Sequence, residues 1–196
     1  PKLDCLGCHS DPSLTSDSGG KTHSISVARE KLKDSVHGSL ECSDCHADVR
    51  QFPHEPSPAK VNCGSCHAET QTSYQHGIHA AARAKGVSQA ATCSGCHGDP
   101  HSILPASDPK SKTNRANIPQ TCGDCHGVKF VMEGQGISTQ PFFSYQQSVH
   151  GKAVAAGSGK AAVCTDCHRA HDILPPSDAK SPIFKFNVPS TCGQCH

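Results

Sequence analysis

The fourteen cysteines of this chain fall into pairs with two residues between them, and a histidine directly follows every pair. The seven sites are Cys5/Cys8/His9, Cys42/Cys45/His46, Cys63/Cys66/His67, Cys93/Cys96/His97, Cys122/Cys125/His126, Cys164/Cys167/His168 and Cys192/Cys195/His196. Two thiols at this spacing add across the two vinyl groups of one haem, and the adjacent imidazole becomes the proximal ligand of its iron. Seven copies with no cysteine left over imply seven covalently attached haems of the c type. Zinc ribbons use Cys pairs two by two, so seven pairs leave one over, and zinc does not require His behind every pair. A thioredoxin-like motif occurs once, beside a strand–helix pattern that is missing here. A disulfide scaffold does not repeat one spacing seven times and follow it each time with His.

The remaining histidines decide what the irons can do. Fifteen His less seven proximal ones leave His23, His37, His54, His76, His79, His101, His150 and His171. Seven six-coordinate irons need seven distal ligands, so the inventory suffices with one spare. Every interval between consecutive attachment motifs contains at least one of these residues. His79 and His150 occupy the same position of an internal repeat, and His37 shares their sequence context. His101 lies four residues after His97, and His171 three after His168. On the same helical turn they point to the side of that haem already taken, so they serve neighbouring haems. His76 aligns with Gln147 in the second repeat and is the weakest candidate, while His23 has no counterpart. The motif ending at His196 has no histidine downstream of it, which leaves His23, another subunit or a further segment as sources of its sixth ligand. Met132, the single methionine, is an alternative axial ligand that would raise one haem's potential.

The elements that must position these groups are short. Only 34% of the 196 residues are hydrophobic, with no Trp, two Tyr and six Phe, while 17 Gly and 14 Pro interrupt long helices and strands. Such a chain lacks the side chains for an ordinary core, and the haems would supply it. The expected fold is therefore a single domain over 1–196, mainly coil with short α-helices around a haem core and little or no sheet. A repeat of about 71 residues organises its later part. SYQHGIHAAARAKG…CSGCHGDPHSILPASDPKS…NIPQTCGDCH is followed by SYQQSVHGKAVAAG…CTDCHRAHDILPPSDAKS…NVPSTCGQCH. This defines two-haem units at 69–126 and 140–196, behind a looser three-haem unit at 1–68. Helices are expected at Ser73–Lys85, Ser144–Ala156 and about Ser26–Val36. Ser144 and Gln147 would form a capping box, and Gly86 and Gly157 would stop the first two helices. The ILPASDPKS and ILPPSDAKS stretches carry turn residues and should be loops.

Charge and hydropathy narrow the partners. The formal charge of +1 becomes about −13 once the propionates of seven haems are counted. The 18 Lys and Arg form no basic stripe, which argues against nucleic acid. No apolar run reaches 18 residues, so no transmembrane segment is expected. Covalent haem attachment takes place outside the cytoplasm, and Pro1 in place of an initiator Met predicts export with a cleaved signal peptide.

The order CLGCHSDPSL…SVHGSLECSDCHADV…PHEP…VNCGSCHAE…IHAAA…CSGCHGDPHSIL…NIPQTCGDCH resembles the multihaem c-type cytochromes of metal-reducing and other respiratory bacteria, over essentially the whole chain. The resemblance implies mostly bis-His, low-spin haems stacked into a continuous wire. It implies long-range electron transfer from a quinol-oxidising or periplasmic cytochrome partner to an external terminal acceptor. Some members are filaments in which one subunit supplies a distal His to its neighbour, so a homo-polymer joined by inter-subunit His ligation is part of the expectation. The competing reading is a multihaem reductase of nitrite, hydroxylamine or a sulfur oxyanion. It needs one five-coordinate haem beside an acid–base pocket. All seven motifs end in His and no further catalytic cluster stands out, so an electron carrier without catalytic residues is expected.

Overall fold

The computed structural model describes residues 4–54 and 58–196. Among them the chain forms twelve short α-helices, two turns of 3-10 helix and one two-stranded antiparallel hairpin, joined by turns and coil. The longest helices, Ala68–His76 and Ile118–His126, have nine residues each. Helices this short are not stable by propensity alone and need tertiary or cofactor contacts. The hairpin pairs Thr15–Ser18 with Lys21–Ser24 across Gly19 and Gly20, whose φ values of 58° and 74° suit a tight primed turn.

Two expected helices are each split in two. Ser73–Lys85 is instead the end of Ala68–His76 followed by Ile78–Ala84, with Gly77 extended between them at φ −84°, ψ 161°. Ser144–Ala156 is Gln140–Gln147 followed by Val149–Ala155, broken at Ser148 with φ −70°, ψ 165°. Ser144 is therefore interior to a helix and forms no capping box with Gln147. Ser148 caps the second piece instead, accepting from the Gly151 amide at 3.1 Å. The reason for the first break is external. The Ile78 N–H donates to the Ile173 carbonyl at 2.7 Å, and a Cβ on Gly77 would stand 2.8 Å from the His171 carbonyl oxygen. A continuous helix would commit that amide to its own turn. The glycine stops hold, with φ 88° at Gly86 and 90° at Gly157. The third helix is shorter than expected, at Arg29–Asp34.

The two copies of the repeat close their loops with the same bonds. Ser111 Oγ donates to the Leu104 carbonyl at 3.1 Å, and Ser181 Oγ to that of Leu174 at 3.2 Å. Asn117 Nδ2 donates to the Ser111 carbonyl, and Asn187 Nδ2 to that of Ser181. The tyrosines match as well, Tyr74 Oη bonding the Ala91 carbonyl at 2.7 Å and Tyr145 Oη that of Ala162 at 3.0 Å. Between copies, Arg115 grips Asp166 through two hydrogen bonds of 2.7 and 3.1 Å and reaches the Ala161 carbonyl.

The polypeptide alone has almost no core. Met132, Val154 and Val163 are the buried apolar side chains among the described residues. The accessible surface is 13579 Å2, against roughly 8,900 Å2 expected of a compact chain of 20.5 kDa. A surface half again too large is what a cradle for bulky apolar groups presents.

Candidate functional site

Each attachment motif occupies one helical turn. Cys93–His97 and Cys164–His168 are complete short helices, while Ile118–His126 carries its motif at the C-terminal end with Pro119 in its first turn. The Cys42 and Cys63 motifs open with their first cysteine in a helical turn. The histidine amide closes the turn onto the first cysteine carbonyl, at 2.9 Å for His9, 2.8 Å for His46, 3.0 Å for His67 and 3.0 Å for His196. Residues three and four apart share a helix face. Both thiols and the imidazole of a motif therefore address one ligand on one side.

Six imidazole pairs lie across from one another at nearly one spacing. The ring centroids of His9 and His54 are 6.0 Å apart, those of His150 and His196 5.9 Å. The pairs His37–His67, His46–His101, His79–His126 and His97–His171 all stand at 6.1 Å. Each pair contains one attachment-motif histidine and one other. Two metal–nitrogen bonds of about 2 Å, plus about 1.1 Å from each nitrogen to its ring centre, add to roughly 6.2 Å. The pairs thus fit a six-coordinate metal between two imidazoles, and among the described residues no group of three or more His, Cys, Asp or Glu side chains converges as a metal cluster.

The pairs fall into two classes by ring orientation and by the path of the chain. In His9–His54, His46–His101 and His97–His171 the rings are nearly parallel, with interplanar angles of 4°, 13° and 2°. There, taking the motifs that end at His9, His46, His97 and His168 as leading motifs, the second histidine follows the next leading motif in the chain and reaches back to the one before. In His37–His67, His79–His126 and His150–His196 the rings are tilted by 52°, 48° and 42°. There the second histidine precedes a leading motif and faces the motif after it.

Local geometry explains the backward reach. The helices ending at His97 and His168 stop at Gly98, φ 91°, and Arg169, φ 63°. His101 and His171 are therefore not on the same turn as the preceding proximal His; the chain has reversed before reaching them. Each then leads into a segment docked on an earlier part of the chain, the Val36 amide in the turn after Arg29–Asp34 donating to the Ile103 carbonyl at 2.8 Å and the Ile78 amide at the start of Ile78–Ala84 to the Ile173 carbonyl at 2.7 Å.

The electrostatics suit neutral ligands. Burial lowers the pKa of His46, His79, His97 and His126, and the facing imidazoles His101, His126 and His171 add to the shift for His46, His79 and His97. A proton on a ligating nitrogen blocks metal binding, so lowering proton affinity favours the ligand form. His9 Nδ1 bonds the Ile25 carbonyl at 2.8 Å, which directs its other nitrogen to the metal side. His101 Nδ1 lies 3.3 Å from Asp99. Nδ1 of His46 and of His54 is buried with no hydrogen-bond partner among the described residues.

Thiol contacts connect one motif to the next. Cys5 hydrogen-bonds Cys42, Cys63 bonds Cys93, and Cys122 bonds Cys164. The bond to Cys164 and burial together raise the Cys122 pKa, whereas burial comes first for Cys5 and Cys93. Cys45 feels Cys66 and Cys63, Cys96 feels Cys125, and Cys167 feels Cys192 and Cys195. The seven motifs are consequently neighbours in space in their sequence order, which the sequence alone did not reveal.

Cys8 belongs to the attachment turn on the helix Leu6–His9, its amide donating to the Cys5 carbonyl at 3.3 Å, and its thiol is exposed, as are those of Cys45, Cys63, Cys66, Cys192 and Cys195.

The expected ligand list is met unevenly. His37, His54, His79, His101, His150 and His171 each face an attachment histidine, as the six pairs show. His23 stands exposed on the hairpin, opposite Ser16, and His76 is exposed at the end of its helix; neither faces another ring. The expectation at His196 is corrected: His150, upstream of it, faces it. Tilted pairs always draw their second histidine from upstream, so no downstream partner is needed. Among the described residues, the one attachment-motif histidine with no facing imidazole is His168, which sequence reasoning did not single out. Met132 is buried within Lys129–Glu133.

Comparison with known families matches residues 50–127 to the one described as cytochrome c7 and related cytochrome c. No match was found among curated proteins or among solved structures. The matched segment contains the third to fifth attachment motifs, and it supports a multihaem c-type cytochrome that carries electrons and binds haem c covalently. No helix among the described residues is long and apolar enough to cross a membrane.

Proposed function

We propose that this chain binds seven haems c, one at each Cys-x-x-Cys-His motif, and conducts electrons along them in sequence order. The six facing imidazole pairs carry the reading, because each combines one attachment histidine with one other at 5.9 to 6.1 Å. Bound haem supplies reversible one-electron exchange between ferric and ferrous iron. The chain's own residues do the rest. Paired imidazoles would hold each iron between them and keep small ligands out, helical turns orient the thiols, and contacts between consecutive motifs keep neighbouring sites adjacent. The partners are redox proteins on either side, an upstream quinol-oxidising or periplasmic cytochrome and a downstream terminal acceptor. The setting is periplasmic or extracellular, where thioether attachment is completed.

Expression in a host with a cytochrome c maturation system, followed by intact mass and haem determination, tests the reading. Seven haems per chain and a predominantly low-spin oxidised spectrum are expected. Fewer than seven, or a mainly high-spin spectrum, would overturn it.

One observation favours a second reading, a reductase acting at the Cys164/Cys167 haem: His168 faces no imidazole among the described residues. Nitrite, hydroxylamine or a sulfur oxyanion would then bind on its open face. Turnover of one of these with a reduced dye as donor separates the two readings.

A further inference from the structure

Three leading motifs obey one rule. The histidine of each, His9, His46 and His97, is met by a near-parallel imidazole from the segment behind the next leading motif, namely His54, His101 and His171. The fourth leading motif ends in His168, which no imidazole faces among the described residues, whose two His-x-Ile-Leu-Pro segments are those that meet His46 and His97.

A second, independent register agrees. Val36 and Ile78 open equivalent sequence contexts, and each donates its amide to the isoleucine that follows the backward-reaching histidine by two residues, Ile103 and Ile173. The third equivalent is Val149, which lies 19 residues before His168, as Ile78 lies 19 before His97. The Val149 amide has no acceptor among the described residues. Its side chain is 79% exposed, against 48% for Val36 and 40% for Ile78.

We infer that Val149 and His168 form a docking site for a further His-x-Ile-Leu-Pro segment supplied by another cytochrome unit, whose histidine completes the sixth haem and whose isoleucine carbonyl accepts from the Val149 amide. The chain's own two such segments, beginning at His101 and His171, are engaged at His46 and His97, so the occupant is an additional one. Docking extends the row of haems beyond the chain by the same contact that links its internal units. The inference rests on the seven-haem reading above.

The probe is a synthetic nine-residue peptide with the sequence of residues 169–177, Arg-Ala-His-Asp-Ile-Leu-Pro-Pro-Ser, added to the haem-loaded protein. One haem in seven is expected to pass from high to low spin with saturation, and the Val149 amide to gain protection from hydrogen exchange. A peptide with Ala in place of its His should leave the spin state unchanged. Val149→Pro removes the amide at a first-turn position that tolerates proline, behind a Ser148 already in the extended conformation proline requires. It should weaken peptide binding about tenfold, the scale of one lost hydrogen bond, while all seven haems remain attached.

Other outcomes overturn the inference in distinct ways. A protein already wholly low-spin without peptide, turning one-seventh high-spin in His23→Ala, would assign the position to His23 of a second copy. Saturable nitrite turnover with no response to peptide would make it a substrate site. A mass showing fewer than seven haems removes the reading beneath it, and that is scored before any peptide is added.

Discussion

His171 faces His97 at 6.1 Å with ring planes 2° apart, although 74 residues separate them and His171 lies only three residues from His168. Proximity in the chain would pair it with its neighbour's haem face. The left-handed turn at Arg169 and the docking of Ile173 on Ile78 send it back one unit instead.

Removing that imidazole exposes one iron. His171→Ala is expected to add one carbon monoxide-binding haem per chain over the wild type, read from the reduced difference spectrum. His76→Ala should add none, because His76 faces no other ring. Equal binding in the two variants would contradict the pairing.

The two ring orientations predict two spectroscopic populations. Near-parallel axial imidazoles split the iron d orbitals rhombically, whereas tilted ones bring two of them closer in energy. Low-temperature EPR of the oxidised protein should resolve three ordinary rhombic low-spin centres, at His9, His46 and His97. Three centres with a larger maximum g value are expected at His67, His126 and His196. A single homogeneous signal would count against the division.

Gly123 tests the packing behind an attachment motif. A Cβ there would meet the Phe142 ring within contact distance, as would one at Gly127, so the ring lies directly on the helix backbone. Gly123→Ala is expected to cost about 1–3 kcal/mol by overpacking. Thermal melting of the haem-loaded protein measures it, and Phe142→Ala in the same chain should recover part of the loss.

The Arg115–Asp166 contact should give stability an acid limb. Burial alone would raise the Asp166 pKa, but hydrogen bonds from Arg115 and the Val163 amide outweigh it and hold the carboxyl below the usual range. A group depressed on folding contributes fully above its unfolded pKa of about 3.9 and loses that contribution as pH falls through the lower folded value. Asp166→Asn is therefore expected to lose about 1 kcal/mol at pH 7, a modest amount because both side chains are substantially exposed. The difference from wild type should shrink as pH drops below about 4, which melting curves at several pH values would reveal.

Without attached haem the chain should not fold cooperatively. Its buried apolar side chains among the described residues number three, far too few to offset backbone ordering of about 1–2 kcal/mol per residue. Protein produced without the attachment machinery is expected to give a broad, non-cooperative melt by circular dichroism. A sharp transition would show a core that the polypeptide itself supplies.

Much of the site was legible because it is written in local spacing. Cys-x-x-Cys-His fits one helical turn and needs no tertiary context, so the seven turns that carry the motif could be located directly. Glycine stops at Gly86 and Gly157 and the turn-rich ILP loops were legible for the same reason. The helix break at Gly77 was not, since a distant carbonyl at Ile173 claims the amide that a continuous helix would use. The repeat suggested that His150 resembles His79, but not that both face the motif downstream of them.

From the sequence alone follow the seven attachment motifs and the surplus of imidazoles, because each motif is encoded in residues adjacent in the chain. Which imidazole faces which was decided only by tertiary structure. The deciding contacts join His9 to His54, His46 to His101 and His97 to His171, across 45, 55 and 74 residues. Such pairings depend on where loops reverse and dock, and that places the unmatched histidine at His168 rather than at His196.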